Sequence, residues 1–260
     1  MCLLPFSSLL DVELHNLLAA LLSIFPTDCS LPNGLSEETS LAALLKALLL
    51  GPVVKCSDEL VIKLFPDLTE YHNLQYLSGH ACDHPVPRTH GLIMLGNYRA
   101  MFMSQIPGVT LAKAWLGLSH EAKLSVQKPL DLIFSRLRCL RQDDGPEFGG
   151  VGGEGVKDYR IMEIFAYKSP CHVKLLRAFV EEQNQTLQGS VFTHGDLKKS
   201  NIMVKQNPGN ANAYTVTGIV DWEDSGFYSE YYECTTLSNR QSIMSDNVWY
   251  LYVPDCISPL

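Results

Sequence analysis

Two segments decide how the rest of the chain is read: VFTHGDLKKSNIMVK at Val191–Lys205 and YTVTGIVDWED at Tyr214–Asp224. Each carries an apolar run of strand type, and a short polar turn joins them. Asp196 and Asn201 stand five apart in a polar loop between apolar flanks, and Asp221 ends the second run. Such a hairpin gathers two carboxylates and one amide oxygen at one end. Hard oxygen ligands of this kind suit Mg²⁺, which keeps waters and substrate phosphates as its other ligands. Gly195 permits a close backbone approach beside them. Taken alone, HxDxxxxN also reads as a capped loop with surface acids.

The chain has 260 residues, 46% of them hydrophobic, enough for a substantial core in one domain or two lobes. A net charge of −8 carries no basic footprint, so no nucleic-acid partner is expected. Eight scattered cysteines form no CxxC and no disulfide framework, which points to a reduced, cytoplasmic setting. The apolar start MCLLPFSSLL lacks a basic flank and is interrupted by Asp11, Glu13 and His15. Leu41–Val54 is short and broken by Lys46, so no membrane segment or membrane partner is expected. His80, Cys82 and His84 resemble a ligand cluster, but beside Pro85 and Pro87 they read as an extended loop.

Residues 1–51 read as an N-terminal helical extension, with helices over 9–25 and 40–50. Strands follow at Val53–Cys56 and Leu60–Phe65 around the turn Ser57-Asp58-Glu59, then a helix at Thr69–Gly79, then strands at Gly91–Leu95 and Ala100–Gln105. This β-β-α-β-β pattern makes residues 52–106 a small antiparallel lobe. Residues 107–260 read as a mainly helical lobe, expected to be truncated at its C-terminal end. A helix opened by Ser119 runs to Arg141, with Pro129 expected to kink or split it. Gly150–Gly155 fits GxGxxG but lacks a βαβ context, so it reads as a flexible surface loop. Val173–Gln185 reads as another amphipathic helix.

Phosphoryl transfer needs an oriented nucleophile, metal bridging the phosphates and a cation on the nucleotide. Asp196 can orient a hydroxyl, and Asn201 and Asp221 can hold metal. Lys63, in the second strand, is the candidate cation; its plain alternative is an exposed strand lysine. Glu70, on the following helix, could hold that lysine.

With these residues in place, VFTHGDLKKSNIMV followed by GIVDWEDSGFYSEYYE resembles the catalytic loop and metal strand of the aminoglycoside phosphotransferase and choline kinase-like superfamily, most closely its fungal phosphotransferase enzyme family. Val61–Lys63, TEYHNLQYL and FMSQIPGVTL agree, so the resemblance covers about residues 52–236. It implies an α+β, two-lobed protein kinase-like fold and an ATP- and Mg²⁺-dependent kinase acting on a hydroxyl of a small molecule. It assigns Asp196 as the catalytic aspartate, Asn201 and Asp221 to metal, Lys63 to the α/β-phosphates and Glu70 as its partner. Met103–Ile106 match the hinge, where backbone groups of Ser104 and Ile106 would meet adenine. Lys198 matches a lysine on the γ-phosphate, and equally reads as a solvated loop lysine. HGD and DWED in place of HRD and DFG set the chain apart from a regulated protein kinase. No glycine-rich phosphate loop is found, and Ser104-Gln105 stands where many relatives carry Glu and Tyr. The alternative is a catalytically impaired pseudokinase, or a truncated family member, with a binding role.

Overall fold

The computed structural model describes residues 53–65, 67–81, 83–95, 98–142, 149–155, 190–240 and 248–257. The expected helices over 9–25, 40–50 and 173–185 lie outside the described residues, as do Cys82 and the turn Gly96-Asn97. The chain divides into two compact units: residues up to Leu68 with Arg88–Gln105, and Thr69–Pro87 with Ile106 onward. Both contain antiparallel sheet, and the architecture is α+β.

The first unit is a four-stranded antiparallel sheet in the order β1-β2-β4-β3, with β1 Val53–Lys55, β2 Leu60–Phe65, β3 Thr89–Leu95 and β4 Tyr98–Ser104. The first hairpin closes as its sequence dictates. Ser57 Oγ accepts the N–H groups of Glu59 and Leu60, both at 3.1 Å, and Lys55 Nζ lies 2.7 Å from Asp58 Oδ1. In the central strand β2, Val61, Ile62 and Lys63 are all buried. Lys63 lies opposite Val53 on β1 and Met101 on β4, only 6% exposed. The exposed-lysine reading therefore fails: three successive buried residues mean that both faces of β2 are covered here, and Lys63 lies on one of them.

The second unit opens with helix α1, Thr69–His80. The small lobe expected over 52–106 included this helix. Its contacts place it in the second unit, for a reason visible in its buried face. Thr69, Glu70, Asn73, Leu74 and Leu77 are buried, and the Tyr76 ring lies 5.5 Å from Phe192 and 5.6 Å from Phe227. Those rings belong to β6, Ser190–Thr193, and β9, Gly226–Ser229, which pair antiparallel. A second small sheet has the order β5-β7-β8, with β5 Val109–Thr110, β7 Ile202–Asn207 and β8 Asn210–Ile219.

After β5 come the short helix α2, Leu111–Ala114, and a 3-10 turn at Trp115–Gly117. Helix α3, His120–Leu137, starts where expected, with Ser119 Oγ accepting the Ala122 N–H at 3.2 Å. Pro129 does not split it: the helix is continuous through that residue. Packing overrides the local penalty. Ala122, Val126, Leu130, Phe134 and Leu137 form one buried stripe, each large side chain stabilising by about 1.5–3 kcal/mol. Ser125 Oγ also accepts the Tyr214 N–H of β8 at 3.0 Å, pinning the helix to that strand. Helix α4, Tyr232–Arg240, and 3-10 turns at Val248–Tyr252 and Asp255–Ile257 follow. Among the described residues, no helix is long and apolar enough to cross a membrane.

The Gly150–Gly155 segment is not a loose loop. Gly149 and Phe227 exchange backbone hydrogen bonds at 2.9 Å in both directions, and Gly153 N–H donates to Gly150 O at 3.2 Å. Glu154 Oε1 lies 2.7 Å from His72 Nδ1 on α1. Adjacent glycines allow a tight closed turn whose one acid reaches a helix partner, and that fastens it to β9 and α1.

Candidate active site

The loop His194–Asn201 leaves β6 and enters β7 through a 3-10 turn at Lys199–Asn201. Gly195 has φ +79°, and a Cβ there would lie 2.3 Å from Asp224 O. Only glycine allows both that backbone and that approach. His194 is fully buried. Its Nδ1 accepts the Asp196 N–H at 3.2 Å, so its Nε2 carries the proton and donates to Val220 O at 3.0 Å. Its ring lies 4.6 Å from that of Trp222, whose Nε1 donates to Ile219 O at 2.8 Å.

Four predicted residues converge here. Lys198 Nζ donates to Asp196 Oδ2 at 2.5 Å and lies 4.0 Å from Asp221 Oδ2. Asn201 Nδ2 donates to Asp196 O at 3.0 Å and to Asp196 Oδ2 at 3.3 Å. Val220 N–H donates to Asn201 O at 2.9 Å, which seats the start of the Asp221 turn against the loop. Asp196 and Asn201 are buried, whereas Lys198 is 40% and Asp221 27% exposed at their side chains. The lysine is thus not a freely solvated loop residue; its ammonium joins the two aspartates.

Asp221 has φ +70°, the only positive φ at a non-glycine among the described residues. Left-handed backbone costs an L-residue about 1–2 kcal/mol and concentrates at functional sites. The next residue is tied down: Trp222 N–H donates to Glu70 Oε1 at 3.2 Å. Carboxylate oxygens of Glu70, Asp221 and Glu223 lie within 4.8 Å of one another. This all-oxygen donor set fits a hard divalent cation such as Mg²⁺, and the Asn201 backbone, bonded to Val220, lies beside the Asp221 turn.

Lys63, Met103 and Ser104 belong to the first unit, and Ile106 opens the second. The Ser104 N–H already donates to Arg88 O at 2.8 Å and the Gln105 N–H to Glu59 O at 2.8 Å. A nucleotide hydrogen-bonding to this stretch would have to use other backbone groups.

Sequence reasoning missed Asn73, Glu223, Ser225 and Glu233. Glu233 is fully buried on α4, and its Oε2 accepts the N–H groups of His194 at 2.6 Å and Gly195 at 3.2 Å. Burial pushes its carboxyl above the usual range, opposed by these backbone donors. The available signal was an acid inside the aromatic run Tyr231-Tyr232-Glu233. Asn73 was legible as a polar residue on the same helix face as Glu70, Leu74 and Leu77.

The profile of the Phosphotransferase enzyme family matches residues 52–247. No curated protein matches the chain in a sequence search. Among solved structures, an aminoglycoside-3'-phosphotransferase of type VIII aligns with a TM-score of 0.56 at 18% identity, covering 94% of this chain and 88% of that one. The aminoglycoside phosphotransferase APH(3'')-Id from Streptomyces rimosus ATCC10970 aligns with a TM-score of 0.51 at 18% identity, covering 78% and 82%. The same enzyme in complex with ADP and streptomycin gives 0.52 at 19% identity, covering 83% and 88%. The shared fold is the kinase-like fold of aminoglycoside phosphotransferases. The profile match spans well over half of the chain, and the chain therefore belongs to the phosphotransferase enzyme family.

Proposed function

We propose that this protein transfers the γ-phosphoryl group of ATP, with Mg²⁺, to a hydroxyl of a small molecule. One observation carries the reading: Asp196, Lys198, Asn201 and Asp221 form a single hydrogen-bonded and charged cluster at the end of the β7–β8 hairpin. Asp196 orients the acceptor hydroxyl and takes up its proton as the new O–P bond forms. The bond from the γ-phosphorus to the β–γ bridging oxygen breaks, and the electron pair leaves with ADP. Lys198 stabilises charge on the moving phosphoryl group, since a cation aimed at developing negative charge lowers the barrier. Asn201 and Asp221, with Glu223 at hand, hold the metal, which when bound neutralises phosphate charge. Lys63, Glu70, Met103, Ser104 and Ile106 are assigned to the nucleotide on the family resemblance. Burial of Lys63 supports a role other than solubility.

The test is calorimetry of Mg·ATP with the full chain, beside Asp221→Ala. A metabolite panel that includes aminoglycosides, read by ADP release, then finds the acceptor. Asp196→Asn is the control. Wild-type protein that binds no Mg·ATP would overturn the reading.

A further inference from the structure

Asn73 lies on α1 with no solvent exposure. Its Nδ2 donates to Trp222 O at 2.8 Å and to Ser225 O at 2.9 Å. The amide orientation is dictated by its surroundings. A flipped amide would set Oδ1 against two carbonyl oxygens, none of which can donate. The fold even accepts a buried Oδ1 that takes no hydrogen bond among the described residues. A polar side chain kept at that cost is held for what its donors do.

Those donors reach both halves of the site. Trp222 directly follows Asp221, whose backbone is left-handed. Fixing the Trp222 carbonyl, while Glu70 fixes the Trp222 N–H, fixes the peptide units on either side of that residue. The second donor reaches Ser225, whose own hydroxyl donates to His194 O at 3.0 Å. His194 in turn accepts the Asp196 N–H. One amide group thus sits at the start of two short chains of contacts, one ending at Asp221 and the other at Asp196.

We propose that Asn73 is a positioning residue that sets both carboxylates of the site relative to α1, resting on the phosphotransferase reading for its consequence in catalysis. It touches neither substrate nor metal. It acts through Trp222 and Ser225, and neighbours of that kind typically change metal affinity or activity 10–100-fold when lost.

The experiment compares the wild-type full chain with Asn73→Ala, Asn73→Ser and the exposed α1 control Ser78→Ala. Amide hydrogen exchange is followed by mass spectrometry in peptides covering 194–197, 221–226 and α3. Asn73→Ala should speed exchange roughly tenfold or more in the first two peptides and leave α3 unchanged. Asn73→Ser keeps one hydroxyl donor and should fall between. In parallel, ADP affinity is measured by calorimetry with Mg²⁺ and with chelator. The Mg²⁺-dependent gain should shrink about tenfold in Asn73→Ala while metal-free ADP binding holds. Exchange equal to wild type in both site peptides overturns the proposal. So does a loss of protection that spreads evenly into α3, which would make Asn73 a general fold contact. If Asn73→Ala does not fold, Asn73→Ser decides on the same criteria. If wild-type protein binds no Mg·ADP, the phosphotransferase reading fails, and the exchange pattern still decides whether Asn73 sets the two segments.

Discussion

Glu233 holds the backbone of His194: its Oε2 lies 2.6 Å from the His194 nitrogen and 3.2 Å from that of Gly195. A buried carboxylate on α4 thereby shapes the loop that presents Asp196, without being near the chemistry itself. Glu233→Ala leaves these N–H groups buried and unpaired, and each such group costs about 1–3 kcal/mol. The expected loss is about 2–5 kcal/mol in urea unfolding. Glu233→Gln keeps one oxygen acceptor and should lose about 1 kcal/mol at neutral pH.

The same carboxyl predicts a pH dependence. Burial raises its folded-state value above that of an ordinary glutamate, so the folded protein holds this proton more tightly than the unfolded chain. Its contribution is then fully present below about pH 4.5 and declines as pH rises towards the folded value. Stability measured against Glu233→Gln should therefore favour wild type most in acid. A difference that grows with rising pH would contradict this.

Lys198 joins Asp196 to Asp221, and its removal leaves two acids facing one region without their shared cation. Because its side chain is 40% exposed, Lys198→Met should change unfolding stability by less than about 1 kcal/mol. Its effect on ADP release should be far larger, about 10²–10³-fold in kcat, as for loss of one donor aimed at transition-state charge. Equal modest losses in both measurements would make Lys198 a structural counter-ion only.

Much of this site could be read from residues near one another in the chain. Asp196, Lys198 and Asn201 fall within one loop, and Asp221 lies two residues past the end of β8, so the β7–β8 pairing brings them close. Strand and helix ends were legible to within a few residues because alternation and Ser119 mark them. What could not be read depends on distant contacts. Glu233 is 39 residues from His194, and Asn73 is 149 from Trp222. No local period announces such a pairing. At Pro129 the expected split does not occur for the converse reason: its local penalty is real, but a buried stripe along the whole helix outweighs it. The closed Gly149–Gly155 turn was missed because its anchors, Phe227 and His72, lie far off in sequence.

Two glycines with nearly the same backbone separate strain from crowding. Gly195 has φ +79° and Gly153 has φ +80°. An added Cβ at Gly153 meets nothing within 4 Å, whereas at Gly195 it would lie 2.3 Å from Asp224 O. Gly153→Ala should cost only the left-handed strain, about 1–2 kcal/mol. Gly195→Ala must also push the Asp224 backbone away, and should cost about 3 kcal/mol or more while disturbing Asp196. Matched urea titrations of both variants check this, and equal costs would show that the loop moves aside freely.

The last contact to test is the one that ties the glycine turn to α1. Burial alone would raise the Glu154 carboxyl, but the His72 hydrogen bond and charge and the Gly152 N–H outweigh it and hold it below the ordinary glutamate range. A depressed folded value means stability that is present above about pH 4.5 and lost as pH falls through the folded value. The side chains are 37% and 19% exposed, so solvent screening limits the gain to about 0.5–1 kcal/mol. Glu154→Gln should therefore be less stable than wild type by that amount at about pH 6, and the difference should shrink towards about pH 3 as the wild-type carboxyl takes up its proton. Unfolding midpoints at the two pH values decide. A variant as stable as wild type at both would show that Gly149–Phe227 pairing alone holds the turn, with no help from His72.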